Sequence, residues 1–288
     1  MVEYIGVDLG GTNIRVGAID EKENIIFSYK EPTYENVKTS EDLYQKIKKI
    51  IEKVPDYEKV KAIGIGVPGA IDYKSKKVIT ARHLDILTEI PLVERLEKDF
   101  SKKVYIENDA RVATLAEAIK GKGKDKKIVC YLTISTGFGG GIVIDKKIYH
   151  GHNGLGAYFA RLILDGENRA DYLISGTALL RQARNEIDES IKDTAELFEL
   201  KRNGNEEAKE IIEKFKMYLT AALLNISATF NPDIIILGGG VLKSKDEFLE
   251  DVINKFKEEV HTLAKNTIID TTVFDEPGII GAALLAKI

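Results

Sequence analysis

The sequence predicts an α/β protein built from two domains. Its 288 residues are more than one small core usually holds. Apolar runs typical of buried strands alternate with segments of helical periodicity, which favours α/β architecture. Residues 129–145 also repeat the pattern of residues 4–20, with an apolar strand, a Gly/Thr turn, a second apolar strand, and then Ile-Asp before a charged hairpin. We interpret this echo as a duplicated domain core, with chance similarity as the alternative.

The N-terminal part predicts a strand meander followed by alternating helices and strands. The predicted strands cover residues 4–7, 14–19, 60–67 and 104–106, and a third meander strand begins at residue 25. The predicted helices cover residues 40–54, 91–100 and 110–119. Over residues 40–54, Leu43, Ile47 and Ile51 recur at helical spacing, which indicates an amphipathic helix. Pro91 is compatible with the first turn of its helix.

The C-terminal part is mostly helical after a second meander. Its predicted helices cover residues 175–188, 193–203, 205–230 and 244–263, with a last helix from residue 278. Buried strands are predicted at residues 234–237 and near 267–274. This order of elements fits a second α/β domain.

Composition excludes several classes of protein. The formal net charge of -4 argues against a nucleic-acid partner, because phosphate backbones reward basic surfaces. Cys130 is the single cysteine, which excludes an internal disulfide and a Cys-rich zinc module, and its apolar neighbours indicate a buried side chain. The N-terminus does not resemble a signal peptide, and no apolar run approaches the roughly 20 residues that span a bilayer. We therefore expect a cytoplasmic protein without a membrane partner.

Three glycine turns each follow a predicted buried strand. Their sequences are DLGGT at residues 8–12, STGFGGG at 135–141 and LGGG at 237–240. A turn without side chains lets backbone N–H groups approach an anion closely, which favours phosphate binding. Asp8, at the end of its strand, can hold Mg²⁺ through water. A plain hairpin turn is the alternative for any one of these segments.

None of these turns matches the two common nucleotide fingerprints. No Gly-Lys-Ser/Thr ends them, so they are not Walker loops. None matches the dinucleotide-binding fingerprint, in which Gly-x-Gly-x-x-Gly opens a helix and an acidic residue follows about 20 positions later. A dehydrogenase is therefore not favoured.

The segment END at residues 107–109 joins a short predicted strand to a predicted helix. Asp109 is a candidate general base for a substrate hydroxyl, and Asn108 can hydrogen-bond another hydroxyl. Helix N-capping is the alternative for both side chains. His150 and His152 have no other histidine or cysteine nearby in sequence, so a structural role is favoured over a metal site.

Taken together, these motifs resemble the ROK family, which contains sugar kinases and related repressors of the actin-like ATPase superfamily. The resemblance covers nearly the whole chain and includes DLGGTNIR at 8–15, GIGVPG at 64–69, ENDA at 107–110, the second glycine segment, NPD at 231–233 and the last helix. It implies two actin-like (ribonuclease H-like) domains, each a mixed sheet flanked by helices, with a cleft between them. The implied small domain is 1–117 plus about 278–288, and the large domain is 118–277.

The family resemblance also implies an activity and its residues. Asp109 would accept the proton of an acceptor hydroxyl, usually the 6-hydroxyl of a hexose, while that oxygen attacks the γ-phosphate of Mg-ATP. The implied ATP-binding residues are Gly10, Gly11, Thr12, Thr136, Gly137, Gly239 and Gly240. The implied substrate-binding residues are Gly69, His83, Asn108, Asp109, Tyr158, Arg161 and Asp171. Family members are commonly oligomers, so a homodimer is expected.

The sugar-binding half departs from the family pattern. Tyr158 stands where the family has a sugar-binding Glu, and Arg161 stands where it has a His. Asp171 stands where the family has a later Glu, and His83 stands where it has an Asn. The Cys-rich loop of many members is missing, so no structural zinc is expected. Loss of a carboxylate and gain of a guanidinium favour an anionic or differently shaped polyol over plain glucose. The alternative is that Tyr158 is a wall residue and Arg161 a surface charge.

The resulting prediction is an ATP-dependent, glucokinase-like carbohydrate kinase acting on a hexose or related polyol. The alternative is a nucleotide- or sugar-binding pseudokinase, or a sugar sensor without transfer activity. Regulators of this family carry an N-terminal helix-turn-helix, whereas this chain begins with its first phosphate strand. DNA binding is therefore not expected.

Overall fold

The computed structural model describes residues 1–81 and 84–288. Contacts divide the chain into two compact units, and the first consists of residues 1–124, 142–157 and 274–288. The second unit consists of residues 125–141 and 158–273. Unit 1 includes the segment 142–157, which lies within the predicted large domain; the predicted domain boundaries stay a prediction.

The strands and helices, numbered in chain order, follow the predicted alternation. The strands are β1 (Tyr4–Leu9), β2 (Asn13–Ile19), β3 (Ile25–Pro32), β4 (Ala62–Val67), β5 (Ala70–Asp72), β6 (Lys77–Thr80), β7 (Lys103–Asn108), β8 (Ile128–Ile134), β9 (Phe138–Ile144), β10 (Lys147–Ile148), β11 (Ile234–Gly238) and β12 (Ile268–Thr271). The α-helices are α1 (Ser40–Glu52), α2 (Leu92–Phe100), α3 (Asp109–Ile119), α4 (Ala170–Ile174), α5 (Gly176–Glu186), α6 (Thr194–Arg202), α7 (Glu206–Phe230), α8 (Leu249–Glu259) and α9 (Pro277–Lys287).

The first sheet has the strand order β3-β2-β1-β4-β7. The meander β1-β2-β3 is antiparallel, whereas β4 runs parallel to both β1 and β7. The carboxyl ends of β1, β4 and β7 therefore meet at one edge of this sheet. That edge carries the first glycine turn, the loop with Gly69, and the start of α3 with Asp109.

The second sheet has the order β10-β9-β8-β11-β12, with β11 parallel to both β8 and β12. In each sheet, three strands that are consecutive in the chain form one side. The earliest of the three, β1 or β8, is followed across the sheet by two further parallel strands, β4 and β7 or β11 and β12. This shared pattern confirms that the echo in the sequence marks a repeated core, and it places the second and third glycine turns after β8 and β11.

Helices α9 and α3 pack closely in unit 1 because glycines remove side chains at their contacts. A β-carbon on Gly64 of β4 would lie 1.8 Å from the carbonyl oxygen of Ala282 in α9. One on Gly281 of α9 would lie 1.6 Å from the carbonyl oxygen of Val112 in α3. Such distances are far below van der Waals contact, so only glycine permits this packing. The first turn of α9 lies equally close to β1, where a β-carbon on Gly6 would lie 2.3 Å from the carbonyl oxygen of Ile279.

Some predicted boundaries were wrong. The helix predicted at 244–263 is a 3₁₀ segment at 240–247 followed by α8, because Ser244 leaves helical geometry at φ -104° and ψ 22°. The hairpin of β5 and β6 and the short helix α4 were not predicted, since three to five residues are too few to show a period. Among residues 1–81 and 84–288, none of the helices combines the length and apolar character that crossing a bilayer requires.

Candidate active site

The first glycine turn connects β1 to β2 as a tight hairpin. The Gly10 N–H donates to the Asn13 carbonyl at 3.0 Å, and the Thr33 hydroxyl donates to the Gly10 carbonyl at 2.6 Å. The Thr33 N–H donates to the Thr12 carbonyl at 2.9 Å. Thr12 itself is exposed, so its hydroxyl lies where a ligand can reach it. The hairpin interpretation is thus correct for the backbone, while phosphate binding at this turn stays a prediction.

Asp8 lies at the end of β1, beside that turn. Arg15 on β2 donates from Nη1 to Asp8 Oδ2 at 3.2 Å and from Nε to Glu276 Oε1 at 3.0 Å. The carboxyl group also lies over Gly278 in the first turn of α9, where a β-carbon would come within 2.6 Å of Asp8 Cγ. Burial raises the pKa of Asp8, although the Arg15 charge partly offsets this.

This arrangement fits a divalent cation held through few protein ligands. Among residues 1–81 and 84–288, no three His, Cys, Asp or Glu side chains are grouped as a metal cage. Mg²⁺ does not require one, because it keeps several waters and binds one or two carboxylates together with substrate phosphates. Asp8 retains 17% side-chain exposure, and its Oδ1 has no protein donor among the described residues, so one carboxylate oxygen is available for that role.

Asn108 is the N-cap of α3, as the capping interpretation predicted for it. Its Oδ1 accepts from the N–H groups of Ala110 at 3.0 Å and Arg111 at 3.3 Å. Its Nδ2 donates to the Gly69 carbonyl at 3.0 Å. Asn108 therefore connects the start of α3 to the loop after β4.

Gly69 has a backbone conformation that other residues rarely adopt. Its φ is +95°, and a β-carbon there would lie 1.8 Å from the Thr80 carbonyl oxygen. Glycine is required on both counts. The carbonyl of Gly69 is the group that accepts from Asn108, so this tight loop is fixed beside the END segment.

Asp109 occupies the first helical position of α3, after the cap. Its Oδ1 accepts from the Ala110 N–H at 2.8 Å. Removal from water raises the pKa of Asp109 to about 7, and the nearby Asp8 charge adds to this, even though the residue keeps partial exposure. A carboxyl group with a pKa near the working pH is suited to accept a proton. The role of Asp109 as general base stays a prediction.

A buried polar network behind the END segment was missed by sequence reasoning. Glu107 and Arg111 are 1% and 4% exposed, and they are joined by the Tyr73 hydroxyl, which donates to Glu107 Oε1 and accepts from Arg111 Nη1. His150 Nε2 lies 2.5 Å from Glu107 Oε2. The available signal was Arg111, a charged residue at a helix position surrounded by Ala, Val and Leu.

The second glycine turn, in unit 2, is fixed by residues of α4 and α5. Thr177 donates from its hydroxyl to the Thr136 carbonyl at 2.7 Å, and the Gly176 N–H donates to the Ser135 carbonyl at 2.7 Å. Asp171 Oδ1 accepts from the Phe138 N–H at 2.8 Å. Thr136 and Gly137 are exposed at the tip of this turn.

The third glycine turn also requires small residues. Gly239 has φ +97°, and a β-carbon there would lie 2.4 Å from the Ile134 carbonyl oxygen at the end of β8. A β-carbon on Gly240 would have the Ser135 hydroxyl as its nearest neighbour, at 3.8 Å. The second and third turns are therefore adjacent in unit 2, while nucleotide binding there stays a prediction.

Tyr158 and Arg161 flank a short 3₁₀ turn at Phe159–Arg161. Phe159 is 3% exposed and packs edge-on against Phe230 at 6.0 Å, which anchors the turn. Arg161 is exposed, and its guanidinium has no polar partner in the part of the chain that the structure describes. His83, a further predicted substrate residue, lies outside the described residues.

Comparison with known proteins agrees with this arrangement of motifs. Residues 4–288 match the sequence pattern of the ROK family. The chain belongs to the ROK family. It is 29% identical to the glucokinase of Streptomyces coelicolor, covering 98% of this chain and 97% of the relative. It is also 29% identical to the N-acetyl-D-glucosamine kinase of Vibrio parahaemolyticus, covering 98% and 99%.

Solved ROK structures show the same two-domain, actin-like fold. The ROK hexokinase of Thermus thermophilus superposes with a TM-score of 0.85 at 28% identity, covering 99% of this chain and 97% of that one. A ROK glucokinase of Streptomyces griseus, solved in complex with glucose and AMPPNP, superposes at 0.83 with 26% identity, covering 100% and 99%. The predicted fold class is therefore confirmed for this ROK chain. The predicted roles of its individual site residues stay predictions.

Proposed function

We propose that this ROK-family chain is an ATP-dependent kinase that transfers the γ-phosphate to a hydroxyl of a hexose or related polyol. The observation that carries the proposal is Asp109, a carboxyl group with a pKa of about 7 at the sheet edge that also bears the first glycine turn. Similarity to glucokinases and to N-acetylhexosamine kinases supports it.

In the proposed reaction, the acceptor hydroxyl gives its proton to an Asp109 carboxylate oxygen. The hydroxyl oxygen forms a bond to the γ-phosphorus as the bond to the β,γ-bridging oxygen breaks, releasing ADP. The glycine turns hold phosphate oxygens through backbone N–H groups and the Thr12 and Thr136 hydroxyls. Positioning and charge stabilisation supply most of the acceleration, and the base contributes about 10²–10⁴-fold.

We assign Mg²⁺ as the divalent cation and Asp8 as its protein ligand, through water. When bound, the ion neutralises charge on the phosphate oxygens. Arg15 fixes the Asp8 carboxylate from one side, and Gly278 leaves room for it against α9. These contacts hold the carboxylate in place before the nucleotide arrives.

For the acceptor, Tyr158 and Arg161 favour a compound with an anionic group over plain glucose. A guanidinium can bind a carboxylate or phosphate through two parallel hydrogen bonds. Arg161 has no carboxylate partner among the described residues, so its charge is available to such a group.

A panel of acceptors tests the function. ADP release would be measured with Mg-ATP and neutral hexoses, N-acetylhexosamines, polyols and sugar acids, and the phosphorylated product identified by mass spectrometry. We expect turnover with at least one acceptor, and its loss in Asp109→Asn with nucleotide binding intact. Nucleotide binding without turnover on any acceptor would contradict the kinase and favour a pseudokinase or sensor.

A further inference from the structure

The buried pair of Glu107 and Arg111 has no part in the proton transfer described above. Both side chains are nearly inaccessible to solvent, at 2% and 5% exposure. Burying charged groups is unfavourable unless they are paired and hydrogen-bonded. Here Arg111 Nη1 lies 3.6 Å from Glu107 Oε1 and donates at 2.7 Å to the Tyr73 hydroxyl. Burial and the Glu107 charge raise the pKa of Tyr73, so its hydroxyl stays protonated and donates to Glu107.

This network connects α3 to the loop at 150–156, which we call the His150 loop. Arg111 Nη2 donates to the Gly154 carbonyl at 2.8 Å and to the Gly156 carbonyl at 2.7 Å. The Gly156 N–H in turn donates to the His150 carbonyl at 2.8 Å, which closes the loop on itself. The backbone of the loop is therefore fixed to the same helix whose first residue is Asp109.

His150 is the solvent-accessible member of the network. Its side chain is 39% exposed, whereas its partner Glu107 is buried. The ring is held at Nε2 by Glu107 Oε2 and packs edge-on against Tyr73, with centroids 4.5 Å apart. No described residue bonds to Nδ1. A carboxylate that fixes one imidazole nitrogen determines the orientation of the ring and of the other nitrogen.

Glu107 is itself the first residue of the END segment, so it connects this histidine to Asn108 and Asp109. Its Oε1 accepts from the Asn108 N–H at 2.7 Å, and Asn108 precedes the candidate base. One buried carboxylate thus positions both an exposed imidazole and the backbone next to Asp109.

We propose that His150 is an acceptor-binding residue, whose Nδ1 hydrogen-bonds a hydroxyl of the sugar or polyol. The proposal rests on the kinase function proposed above. Glu107, Tyr73 and Arg111 are positioning residues that act through His150. The ligand class is a polyhydroxylated acceptor, because Nδ1 of a neutral imidazole whose Nε2–H donates to a carboxylate can accept a hydrogen bond from a hydroxyl.

Steady-state kinetics with His150→Ala test the contact. We expect the acceptor KM to rise about 3- to 10-fold, as for loss of one neutral hydrogen bond, while the ATP KM stays within about twofold. His152→Ala is the matched control, since His152 is an exposed histidine of the same loop with no polar contact among the described residues. An unchanged acceptor KM in His150→Ala, or an equal rise in His152→Ala, would overturn the proposal.

A double-mutant cycle tests the positioning role. Arg111→Lys should raise the acceptor KM in the wild-type background and have little further effect in His150→Ala, because both act on one contact. Additive effects in the two backgrounds would show that Arg111 acts independently of His150 and would overturn its positioning role. If Arg111→Lys does not fold, Tyr73→Phe replaces it in the same cycle.

Imidazole NMR separates this proposal from the kinase proposal. The chain has 4 histidines, so ¹⁵N-histidine labelling gives few signals, and His150 is identified by its absence in His150→Ala. Each acceptor of the panel is added in turn. A shift of the His150 Nδ1 signal supports the contact even if no acceptor is turned over, in which case only the kinase proposal fails. Turnover without any shift overturns the contact and leaves the kinase standing.

Discussion

Asp171 Oδ1 accepts a hydrogen bond from the Phe138 N–H at 2.8 Å, which links α4 to the second glycine turn. The sequence predicts Asp171 as a substrate-binding residue, whereas this contact lies on the predicted nucleotide side. Gly137 is also close, since a β-carbon there would lie 3.2 Å from Asp171 Oδ1. One oxygen of this carboxylate is thus engaged in shaping the turn.

Asp171→Ala should therefore raise the ATP KM. Loss of the acceptor leaves the Phe138 N–H unpaired, a penalty of about 1 kcal/mol or more, equivalent to about fivefold in binding. Asp171→Asn keeps Oδ1 and should largely restore the ATP KM. Both Michaelis constants would be measured for the two variants. A rise in the acceptor KM alone, in both variants, would instead support the substrate-binding prediction.

The pH dependence of activity should report Asp109. Because burial raises its pKa to about 7, the carboxylate form that accepts a proton predominates only above that pH. We expect kcat/KM to rise about tenfold per pH unit below pH 7 and to level off above it. Asp109→Asn should lose at least about 100-fold in kcat across this range. Asp125→Asn alters an exposed carboxylate elsewhere and should keep the wild-type pH profile of kcat/KM. A wild-type profile that is flat between pH 5.5 and 8 would argue against Asp109 as the base.

Titration of Asp109 should lower the stability of the protein as the pH rises, whereas it should raise the activity. Its folded-state pKa lies above the ordinary value of about 4, so its contribution to stability is full below pH 4 and is lost as the pH rises through 7. Asp109→Asn removes this titration. The melting temperature of the variant should therefore exceed that of wild type more at pH 8 than at pH 5, and an equal difference at both pH values would contradict the shift.

Packing of α9 on α3 should not tolerate a methyl group at Gly281. A β-carbon there would lie 1.6 Å from the Val112 carbonyl oxygen, so the helices must separate. We expect Gly281→Ala to lower the free energy of unfolding by about 1–3 kcal/mol, measured by urea denaturation. Gly240→Ala is the control, since its β-carbon would meet only the Ser135 hydroxyl at 3.8 Å. Equal stabilities of the two variants would contradict the close contact.

Acceptor choice should follow Tyr158 and Arg161. The double variant Tyr158→Glu/Arg161→His restores the usual ROK residues. We expect its ratio of kcat/KM for a neutral hexose to kcat/KM for the acidic analogue to rise at least about tenfold. The reason is that a hydrogen bond to a charged group contributes about 1.5–3 kcal/mol. Arg169→His, at another exposed arginine, is the control. An unchanged ratio in the double variant would indicate that Arg161 is a surface charge.

Local patterns in the sequence were enough to predict most of the elements and three exposed or tight turns. Alternation and helical spacing depend on nearby residues, so β1, α1 and α7 could be read directly from them. The echo of residues 4–20 at 129–145 likewise predicted the repeated sheet order. The glycine turns and the END segment were found because each follows a strand with a strong apolar signal.

Other features depended on residues that are distant in the chain. Tyr73, Glu107 and His150 meet around one buried carboxylate although 34 and 43 positions separate Glu107 from its two partners. Asp171 reaches Phe138 across 33 positions. The sequence around each side chain does not reveal such pairing, because the pairing depends on how the fold brings β7 to the β5–β6 turn and the His150 loop, and α4 to β9. The sequence alone thus determined the fold class and the candidate base, whereas only the tertiary structure decided which side chains support that base and the turns beside it.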